Sequence, residues 1–441
     1  MPKSGEPLRR DPSASAANWQ DPPYNRWSFW HLRELLPTHP VPRGEGPVRT
    51  LPDHTSEHDV PSVEVTRVDG SRVTVADVLD DTFTDAYAVL QDGALVAEDY
   101  QPTGGPLQTH AVLSITKSVV GCVAAILADR GLLDLTSDAA DYVPELSDSG
   151  FAGATVQHLL DMRSGVRFRE EYTNPDAEVR QLDRWIVAGL SQGLSHDGDQ
   201  TKGLYPYLES LEQEAPHGSR FRYRSAETDA LGWVCERAGG ARMADLVSTL
   251  VWAPLGAERD AEIVCDGLGT AVHDGGLAVT ARDLLRFGQM LLDGGVVPGE
   301  DGEAVSVVPS KWLRRAWAVD SEGRTMFQDS PAELSFPGGW YRSQFWFRPG
   351  EHGDVLLCLG IHGQMLHVSR RTRTVCVKLS SWPDPSNPAY LQDTLRAFDA
   401  VGGAMLNRAS TGRTHRLPGV VSGLSRHGQG DSRREPRGPL A

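Results

Sequence analysis

The chain has 441 residues, enough for one large enzyme with an inserted region or for about three average domains. Its 43 Lys and Arg side chains stand against 59 Asp and Glu, and the net charge of −16 argues against broad contact with nucleic acid or an anionic membrane. Hydrophobic residues at 39% and charged residues at 23% are typical of a globular chain and exclude a disordered or fibrous protein.

Lysine is scarce among the basic residues. Five of the 43 basic side chains are lysines and 38 are arginines, so a lysine in an unusual context is informative. The five are Lys3, Lys117, Lys202, Lys311 and Lys378.

The cysteines and the N-terminal sequence indicate a reduced, cytoplasmic protein. The five cysteines are an odd number without any C-x-x-C pair, as expected of buried reduced thiols. The N-terminal sequence has no apolar signal segment, and the longest apolar run, near 118–128, is far shorter than the ~18 residues of a membrane span. The sequence has no H-E-x-x-H, Cys/His cluster, P-loop or dinucleotide fingerprint, so we expect neither a metal nor a cofactor.

Both ends of the chain are polar, and a hairpin is the first clear element. Residues 1–17 and 407–441 are predicted to be disordered tails, and the aromatic-rich residues 18–37 are expected to lie against the body of the protein. Apolar runs at 86–90 and 94–100 flank Asp92-Gly93, which is a strong signal for a tight β-hairpin.

The remaining elements predict an α+β protein. Apolar residues at helical spacing indicate a central buried helix that begins near Ile115 and ends at Gly131. Residues 156–255 are mostly helical in pattern, ARDLLRFGQMLLDGG is amphipathic, and short β-type runs return at 355–359, 365–368 and 374–379. We therefore predict an antiparallel sheet built from both chain ends and flanked by helices. Residues 18–155 and 256–406 would form this sheet domain, with 156–255 as an inserted helical region.

Ser114 and Lys117 form an S-x-x-K pair, which places a hydroxyl and an amine on one helix face, one turn apart. A lysine that is neutral or shares its proton can help to remove the serine proton and so create a nucleophile. The alternative is that Ser114 only caps the helix. A cation in the first helical turn is unfavourable for a cap, because the positive helix end repels it.

Two further segments could complete such a site. Tyr223, in FRYRSAETDALGWV, is a candidate general base or acid if a neighbouring lysine lowers the pKa of its phenol. The turn containing Gly363-Gln364 could supply a backbone N–H that stabilises an oxyanion. Taken singly, Tyr223 could be a core residue packed on Phe221, and the turn could be an ordinary hairpin.

A competing motif lies in the helical region. Residues 189–193 match G-x-S-x-G, the nucleophile elbow, with His196 and Asp197 close behind. That motif is meaningful only between a strand and a helix, and here a helical pattern precedes it and a loop follows it. We interpret it as a chance match.

The order of these segments resembles the serine β-lactamase and penicillin-binding-protein superfamily, and within it the class C β-lactamase-like esterases. QDGALVAEDY, HLLDMRSGV and GGLAVTARDLLRFGQMLLDGG are similar to recurring segments of that family. The resemblance covers about residues 80–400 and implies the β-lactamase/transpeptidase-like fold and an acyl-enzyme formed on Ser114. The backbone N–H groups of Ser114 and Gln364 would form the oxyanion hole.

A narrower resemblance is to the 6-aminohexanoate-dimer hydrolases, on NWQDPPYNRWSFWHLRELLP, GVRFREEYTNPDAEVRQLDRW and SAETDALGWV. It implies that Tyr172 hydrogen-bonds the scissile amide nitrogen and that Asp183 receives a substrate ammonium. Asp183 could equally be a solvated helix residue, with Glu170 or Glu171 serving nearby. Ser225 and Trp346 are further candidates for substrate contact, and the resemblance makes a homodimer a reasonable expectation.

Two positions depart from the class C β-lactamase pattern. Ser225 stands where those enzymes have Asn after the tyrosine, and Ile361-His362-Gly363 stands where they have Lys-Thr-Gly. The absent lysine helps to hold a β-lactam carboxylate, so its loss argues against antibiotic hydrolysis as the main role.

The sequence thus predicts a serine amidase or esterase that acts on small linear substrates. The alternatives are a D,D-peptidase or β-lactamase, and a non-catalytic penicillin-binding-like module. Retention of Ser114, Lys117 and Tyr223 together argues against the non-catalytic alternative.

Overall fold

The computed structural model of the protein describes residues 12–101, 104–192, 202–299 and 302–414. Within these ranges no helix is both long enough and apolar enough to cross a membrane. The five cysteines are all buried and unpaired.

The described residues form short strands near both ends of the chain and helices throughout. The strands are β1 Thr38–Val41, β2 Glu64–Thr66, β3 Arg72–Thr74, β4 Thr84–Gln91, β5 Ala94–Tyr100, β6 His110–Ala111, β7 Ala261–Val264, β8 Leu277–Val279, β9 Val296–Pro298, β10 Ala304–Ser306, β11 Trp340–Arg342, β12 Phe345–Gly350, β13 Gly353–Gly360, β14 Gln364–Ser369 and β15 Thr374–Ser380. The helices are α1 Asn25–Ser28, α2 Val75–Asp81, α3 Ile115–Asp129, α4 Ala139–Tyr142, α5 Val156–Leu160, α6 Glu178–Gln192, α7 Leu204–Glu209, α8 Ser225–Gly239, α9 Met243–Val247, α10 Ala253–Leu255, α11 Ala281–Leu292, α12 Ser310–Trp317, α13 Ser321–Gln328 and α14 Pro388–Thr414.

The main sheet joins the two ends of the chain. It has seven antiparallel strands in the order β11-β12-β13-β14-β15-β4-β5, and the pairing of β15 with β4 brings the C-terminal strands to the early hairpin. Asp92 and Gly93 close that hairpin with φ of 49° and 84°, as a two-residue turn of primed type requires. The predicted α+β fold is therefore confirmed.

Helices cover both faces of this sheet. On one face α3 and α11 pack against β13, β14, β15 and β4. On the other face, Leu395, Phe398 and Val401 of α14 belong to one buried hydrophobic cluster with Val89 and Leu357 of the sheet. Every α3 residue from Ile115 to Leu127 is buried, because sheet and helical region enclose the helix from opposite sides. This burial makes α3 a rigid support for the residue that precedes it.

A second sheet and the helical region complete the surroundings of α3. The smaller sheet has the order β1-β7-β8-β6, and β6 leads directly towards α3. Among the described residues all strands lie outside 156–255, which contains α5 to α10. The domain boundaries themselves stay a prediction.

Parts of the two predicted tails, 12–17 and 407–414, belong to the described structure, and the remaining residues of each tail lie outside it. Ala14 is buried in a turn-rich segment, although 1–17 has the polar, proline-rich composition of a tail. At the other end α14 continues past position 407 to Thr414.

Lys378 on β15 is fully buried, and this burial has a consequence for stability. Burial lowers the pKa of Lys378 to about 7, although Asp85 opposes the shift. Its ammonium donates to the carbonyl oxygen of Thr82 and to Ser380 Oγ. In the unfolded chain the lysine regains a pKa of about 10.4.

We expect Lys378 to make stability rise with pH above neutrality. Between pH 7 and about 10 the unfolded chain binds more protons at this lysine than the folded chain, so the free energy of unfolding rises by up to about 1.4 kcal/mol per pH unit. In Lys378→Met this rise should be absent. Urea unfolding at pH 7, 8 and 9 measures it, and parallel pH dependence in both proteins would contradict the expectation.

Candidate active site

Ser114 lies immediately before α3, and its side chain does not cap the helix. Its backbone is helical (φ −64°, ψ −3°) and Oγ makes no capping hydrogen bond. Instead Lys117 Nζ donates to Ser114 Oγ at 2.9 Å, so the S-x-x-K spacing does bring the two groups together. The preceding Leu113 has a positive φ of 47°, a conformation that costs free energy in a non-glycine residue and is typical of functional sites.

Lys117 is 1% exposed and has an acceptor for each of its N–H groups. Nζ donates to Ser114 Oγ, to Ser225 Oγ at 3.1 Å and to the carbonyl oxygen of Asp274 at 2.7 Å. Burial by itself lowers the pKa of Lys117, but the acidic groups of Tyr223, Asp274 and their neighbours outweigh it, so the pKa is raised. The resting side chain is an ammonium, whereas the sequence suggested a neutral or proton-sharing amine.

Tyr223 is half-buried beside this pair. Its hydroxyl interacts with Ser114 and Lys117, and its ring centroid lies 5.2 Å from Lys117 Nζ. Burial raises the pKa of Tyr223 more than Lys117 lowers it, and Glu170 raises it further. The expected lowering of this pKa is therefore wrong, because the phenol is removed from water and faces a carboxylate.

A buried ion pair fixes the backbone between Tyr223 and α8. The Arg224 guanidinium is fully buried and donates to Glu227 at 3.1 Å and to the carbonyl oxygen of Ser164 at 3.0 Å. Arg224 is the residue directly before α8, so this anchor sets where Tyr223 and Ser225 enter the site.

Ser225 and Tyr172 are both tied to Glu170. Ser225 Oγ donates to Glu170 Oε1 at 2.6 Å, and the Tyr172 hydroxyl donates to the same oxygen at 2.5 Å. Since Ser225 also accepts from Lys117, its hydroxyl is used within the protein. These contacts favour support of Lys117 and Glu170 as the role of Ser225, and its contact with substrate stays a prediction.

Ser114 and Tyr172 line two clefts at once. The first cleft is also lined by Asp183, Asp274, Arg180 and residues of the N-terminal segment. Burial raises the pKa of Asp183 to about 7, with Asp274 and Glu170 adding to the shift and Arg180 opposing it. Arg180 donates to Asp183 Oδ2 at 3.0 Å. Asp183 is therefore in the same cleft as the candidate nucleophile.

The second cleft is more aromatic. It contains Tyr223, Trp346, Phe336, Trp382, Ile361 and Gln364. The ring centroids of Trp346 and Tyr223 lie 5.0 Å apart, and the contact of Trp346 with substrate stays a prediction.

The turn before Gln364 is held close to Ser114. A Cβ on Gly360 would lie 2.5 Å from the carbonyl oxygen of Val112, which shows how closely the end of β13 approaches the segment before Ser114. The Gln364 side chain forms a reciprocal pair of hydrogen bonds with the backbone of Ser380. The predicted oxyanion donor thus sits on a rigid strand end within the cleft.

The structure also adds residues that spacing could not reveal. Glu170 was only one of several acids near Tyr172, and Asp274 and Asp229 carry no sequence motif.

Of the competing G-x-S-x-G match, 189–192 belongs to helix α6 rather than to a strand-to-helix turn, and Gly193, His196 and Asp197 lie outside the described residues.

Known proteins match this chain over most of its length. Residues 72–400 match the Beta-lactamase family. The 6-aminohexanoate-dimer hydrolase of Paenarthrobacter ureafaciens is 38% identical over 413 residues, or 90% of this chain and 99% of the relative. Esterase EstB of Burkholderia gladioli is 32% identical over 170 residues, or 37% of this chain and 41% of the esterase. A solved structure assigned as a 6-aminohexanoate-dimer hydrolase from Bacillus anthracis has a TM-score of 0.75 and 27% identity, covering 94% of this chain and 100% of that one.

The fold and these relatives define a serine hydrolase that acts on amide or ester bonds. The chain belongs to the Beta-lactamase family, and both resemblances inferred from the sequence are confirmed.

The supporting role favoured for Ser225 predicts which kinetic constant depends on this residue. In Ser225→Ala, Lys117 loses one acceptor and Glu170 one donor, so we expect kcat to fall about tenfold, the equivalent of one lost hydrogen bond to a charged group, with KM little changed. Steady-state kinetics on a short-chain ester measure this split. A raised KM at unchanged kcat would instead restore the substrate-contact role.

Proposed function

We propose that the protein hydrolyses amide or ester bonds of short linear substrates that carry a free ammonium, through an acyl-enzyme on Ser114. The observation that carries the proposal is the 2.9 Å hydrogen bond between Lys117 Nζ and Ser114 Oγ, with the Tyr223 hydroxyl beside both. A nucleophile, a cation and a phenol in contact at the junction of two clefts are the parts that acyl transfer requires.

The proposed proton transfers start from a reactive form that has one proton fewer than the resting site, in which Lys117 is an ammonium and Tyr223 a phenol. In that form Lys117 keeps its ammonium, so the Tyr223 oxygen is a phenolate next to it. The phenolate takes the Ser114 hydroxyl proton while Oγ bonds to the carbonyl carbon, and the carbonyl oxygen becomes the oxyanion. Tyr223 then gives that proton to the leaving nitrogen or oxygen as its bond to carbon breaks. Water repeats the sequence on the acyl-enzyme and restores Ser114.

Two groups orient the substrate in this proposal. The backbone N–H groups of Ser114 and Gln364 stabilise the oxyanion, an interaction typically worth about 3 kcal/mol per donor. Because the Tyr172 hydroxyl gives its hydrogen to Glu170, its oxygen remains an acceptor for the N–H of a scissile amide.

The charges of the first cleft favour a cationic substrate. Asp274 and Glu170 lie close enough to Asp183 to raise its pKa, and Arg180 lines the first cleft together with Asp183 and Asp274. An ammonium near Asp183 would relieve the repulsion among these acids. The relative from Paenarthrobacter ureafaciens, named for a dimer of an amino acid, supports the same substrate class.

β-Lactam hydrolysis is less well supported by the second cleft. Ile361 lines that cleft at the position where class C enzymes have lysine, and the residues lining it include no Lys or Arg. A carboxylate-bearing β-lactam would therefore lack its cationic partner there.

The cytoplasmic location and the homodimer stay proposals based on the sequence and on the family resemblance. Size-exclusion chromatography with light scattering tests the dimer.

Ser114→Ala should reduce turnover of a neutral p-nitrophenyl ester by at least about 1,000-fold and abolish labelling by a fluorophosphonate probe. Lys117→Met should reduce turnover by a similar factor, because Tyr223 then lacks the cation that stabilises its phenolate. Ser118→Ala is the matched control, since Ser118 is buried on the same helix and donates to Gln344 at 2.7 Å. Undiminished ester turnover in Ser114→Ala would contradict the proposed function.

Asp183 should add a pH dependence that only ammonium substrates show. With a pKa of about 7, Asp183 becomes ionised as pH rises, so kcat/KM for the linear 6-aminohexanoate dimer should rise through pH 7 while a neutral ester lacks this step. Asp183→Asn should remove the step and lower kcat/KM for the dimer by about 10- to 100-fold, the value of a charged hydrogen bond. Asp176→Asn, an exposed change nearby, is the control. Equal loss on both substrates in Asp183→Asn would contradict ammonium binding.

A further inference from the structure

One face of α8 is turned towards Lys117 and the loop that holds it. Ser225, Asp229 and Gly232 follow one another at spacings of four and three residues, which places them on a single helix face. Ser225 Oγ accepts a hydrogen bond from Lys117, and Asp229 accepts one from the loop before β8. The ring of His273 packs directly against Gly232. A Cβ at Gly232 would lie 2.2 Å from His273 Cγ, so a larger residue would displace this loop.

The loop matters because it supplies the shortest hydrogen bond to the catalytic lysine. The carbonyl oxygen of Asp274 accepts from Lys117 Nζ at 2.7 Å, against 2.9 Å for Ser114 Oγ and 3.1 Å for Ser225 Oγ. A main-chain carbonyl cannot adjust its position as a side chain does. The position of Nζ therefore depends on whatever fixes the backbone of Asp274.

Asp229 fixes that backbone. Its Oδ1 accepts from the backbone N–H of Asp274 at 3.0 Å, and the N–H of His273 also bonds to this carboxyl group. The side chain is 0% exposed, and its Oδ2 has no hydrogen-bond partner among the described residues. Two adjacent backbone N–H groups of the loop thus both donate hydrogen bonds to one buried side chain.

Asp229 holds the loop as a neutral acid and not as a counter-charge. Burial raises its pKa well above the ordinary value, and the neighbouring charge of Asp274 raises it further, although Lys117 and the two backbone N–H groups oppose the shift. A neutral carboxyl group has nearly the shape and hydrogen-bonding capacity of an amide.

We propose that Asp229 is a positioning residue that, through the main chain of Asp274, places the carbonyl oxygen that holds Lys117 against Ser114. The inference rests on the proposed function of Ser114 and Lys117. It predicts an unusual substitution pattern: asparagine replaces this buried acid without loss, whereas a side chain that accepts no hydrogen bond does not.

The test compares Asp229→Asn, Asp229→Ala and Asp229→Leu with the wild type. Leucine fills the volume of the side chain, so it serves if the alanine variant does not fold. The readouts are kcat and KM on a neutral p-nitrophenyl ester, the pH profile of kcat/KM, the rate of fluorophosphonate labelling and the thermal midpoint. The charged or titratable groups that face Lys117 are Tyr223, Asp274, Glu170 and Asp229, so the pH profile reports any change in this set.

Asp161→Ala is the matched control. Asp161 is also a buried acid with a pKa raised by burial, and its Oδ1 accepts from the backbone N–H of Ser343 at 2.9 Å, away from Lys117. Asp161→Ala should lower the free energy of unfolding about as much as Asp229→Ala does and should leave kcat within about threefold of the wild type.

We expect Asp229→Asn to keep kcat within about threefold and the pH profile unchanged, and Asp229→Ala or Asp229→Leu to lower kcat and the labelling rate about 10- to 100-fold at similar KM, as small displacements of catalytic groups do. Equal losses in the Asn and Leu variants with a shifted pH profile would overturn the proposal in favour of a counter-charge. Unchanged kcat in the Leu variant, or an equal loss of kcat in Asp161→Ala, would also overturn it. Full activity of Ser114→Ala would instead mean that the proposed function has failed.

Discussion

The site depends on one physical constraint: a buried ammonium needs an acceptor for each of its three N–H groups. Lys117 obtains them from Ser114 before α3, from Ser225 on α8 and from the Asp274 carbonyl before β8. These three acceptors belong to the central helix, the helical region and the smaller sheet. The hydrogen bonds of Lys117 therefore connect three parts of the fold, and Ser114 lies where these parts meet.

The same constraint determines the electrostatics of the cleft. Burial lowers the pKa of Lys117, so a stable ammonium requires nearby acidic groups, and Asp274 and Glu170 raise this pKa. Burial also raises the pKa values of Glu170 and Asp183, and Asp274 and Glu170 raise the pKa of Asp183 further. A cluster that holds the catalytic cation thus leaves surplus negative potential beside Ser114. The acids that stabilise Lys117 are thus the same ones that favour a substrate with an ammonium group.

The sequence predicted the local parts of the site and missed the parts that burial and distant contacts create. Ser114 and Lys117 lie one turn apart on a helix, so their spacing alone brought them together, and Asp92-Gly93 likewise identified a hairpin by its own backbone preference. The direction of the Tyr223 pKa shift depended on how far the phenol is removed from water, which no spacing records. Asp274 meets Lys117 from 157 positions away, and only the assembled fold makes it an acceptor. The sequence placed Ser225 in the site, but its hydrogen bonds to Glu170 and Lys117, which favour a supporting role, depend on the assembled fold.

The chemistry of the ammonium also explains why position 117 holds a lysine in a chain with 38 arginines and five lysines. The three N–H groups of an ammonium point to the corners of a compact tetrahedron, and Ser114 Oγ, Ser225 Oγ and the Asp274 carbonyl converge on one nitrogen at 2.7–3.1 Å. A guanidinium distributes five N–H groups over a flat fork, so it could not satisfy three acceptors that converge on one point. Its bulk would also displace the Tyr223 ring, which lies 5.2 Å from Nζ. The residue that is scarce in this chain is therefore the one whose shape and charge the site requires.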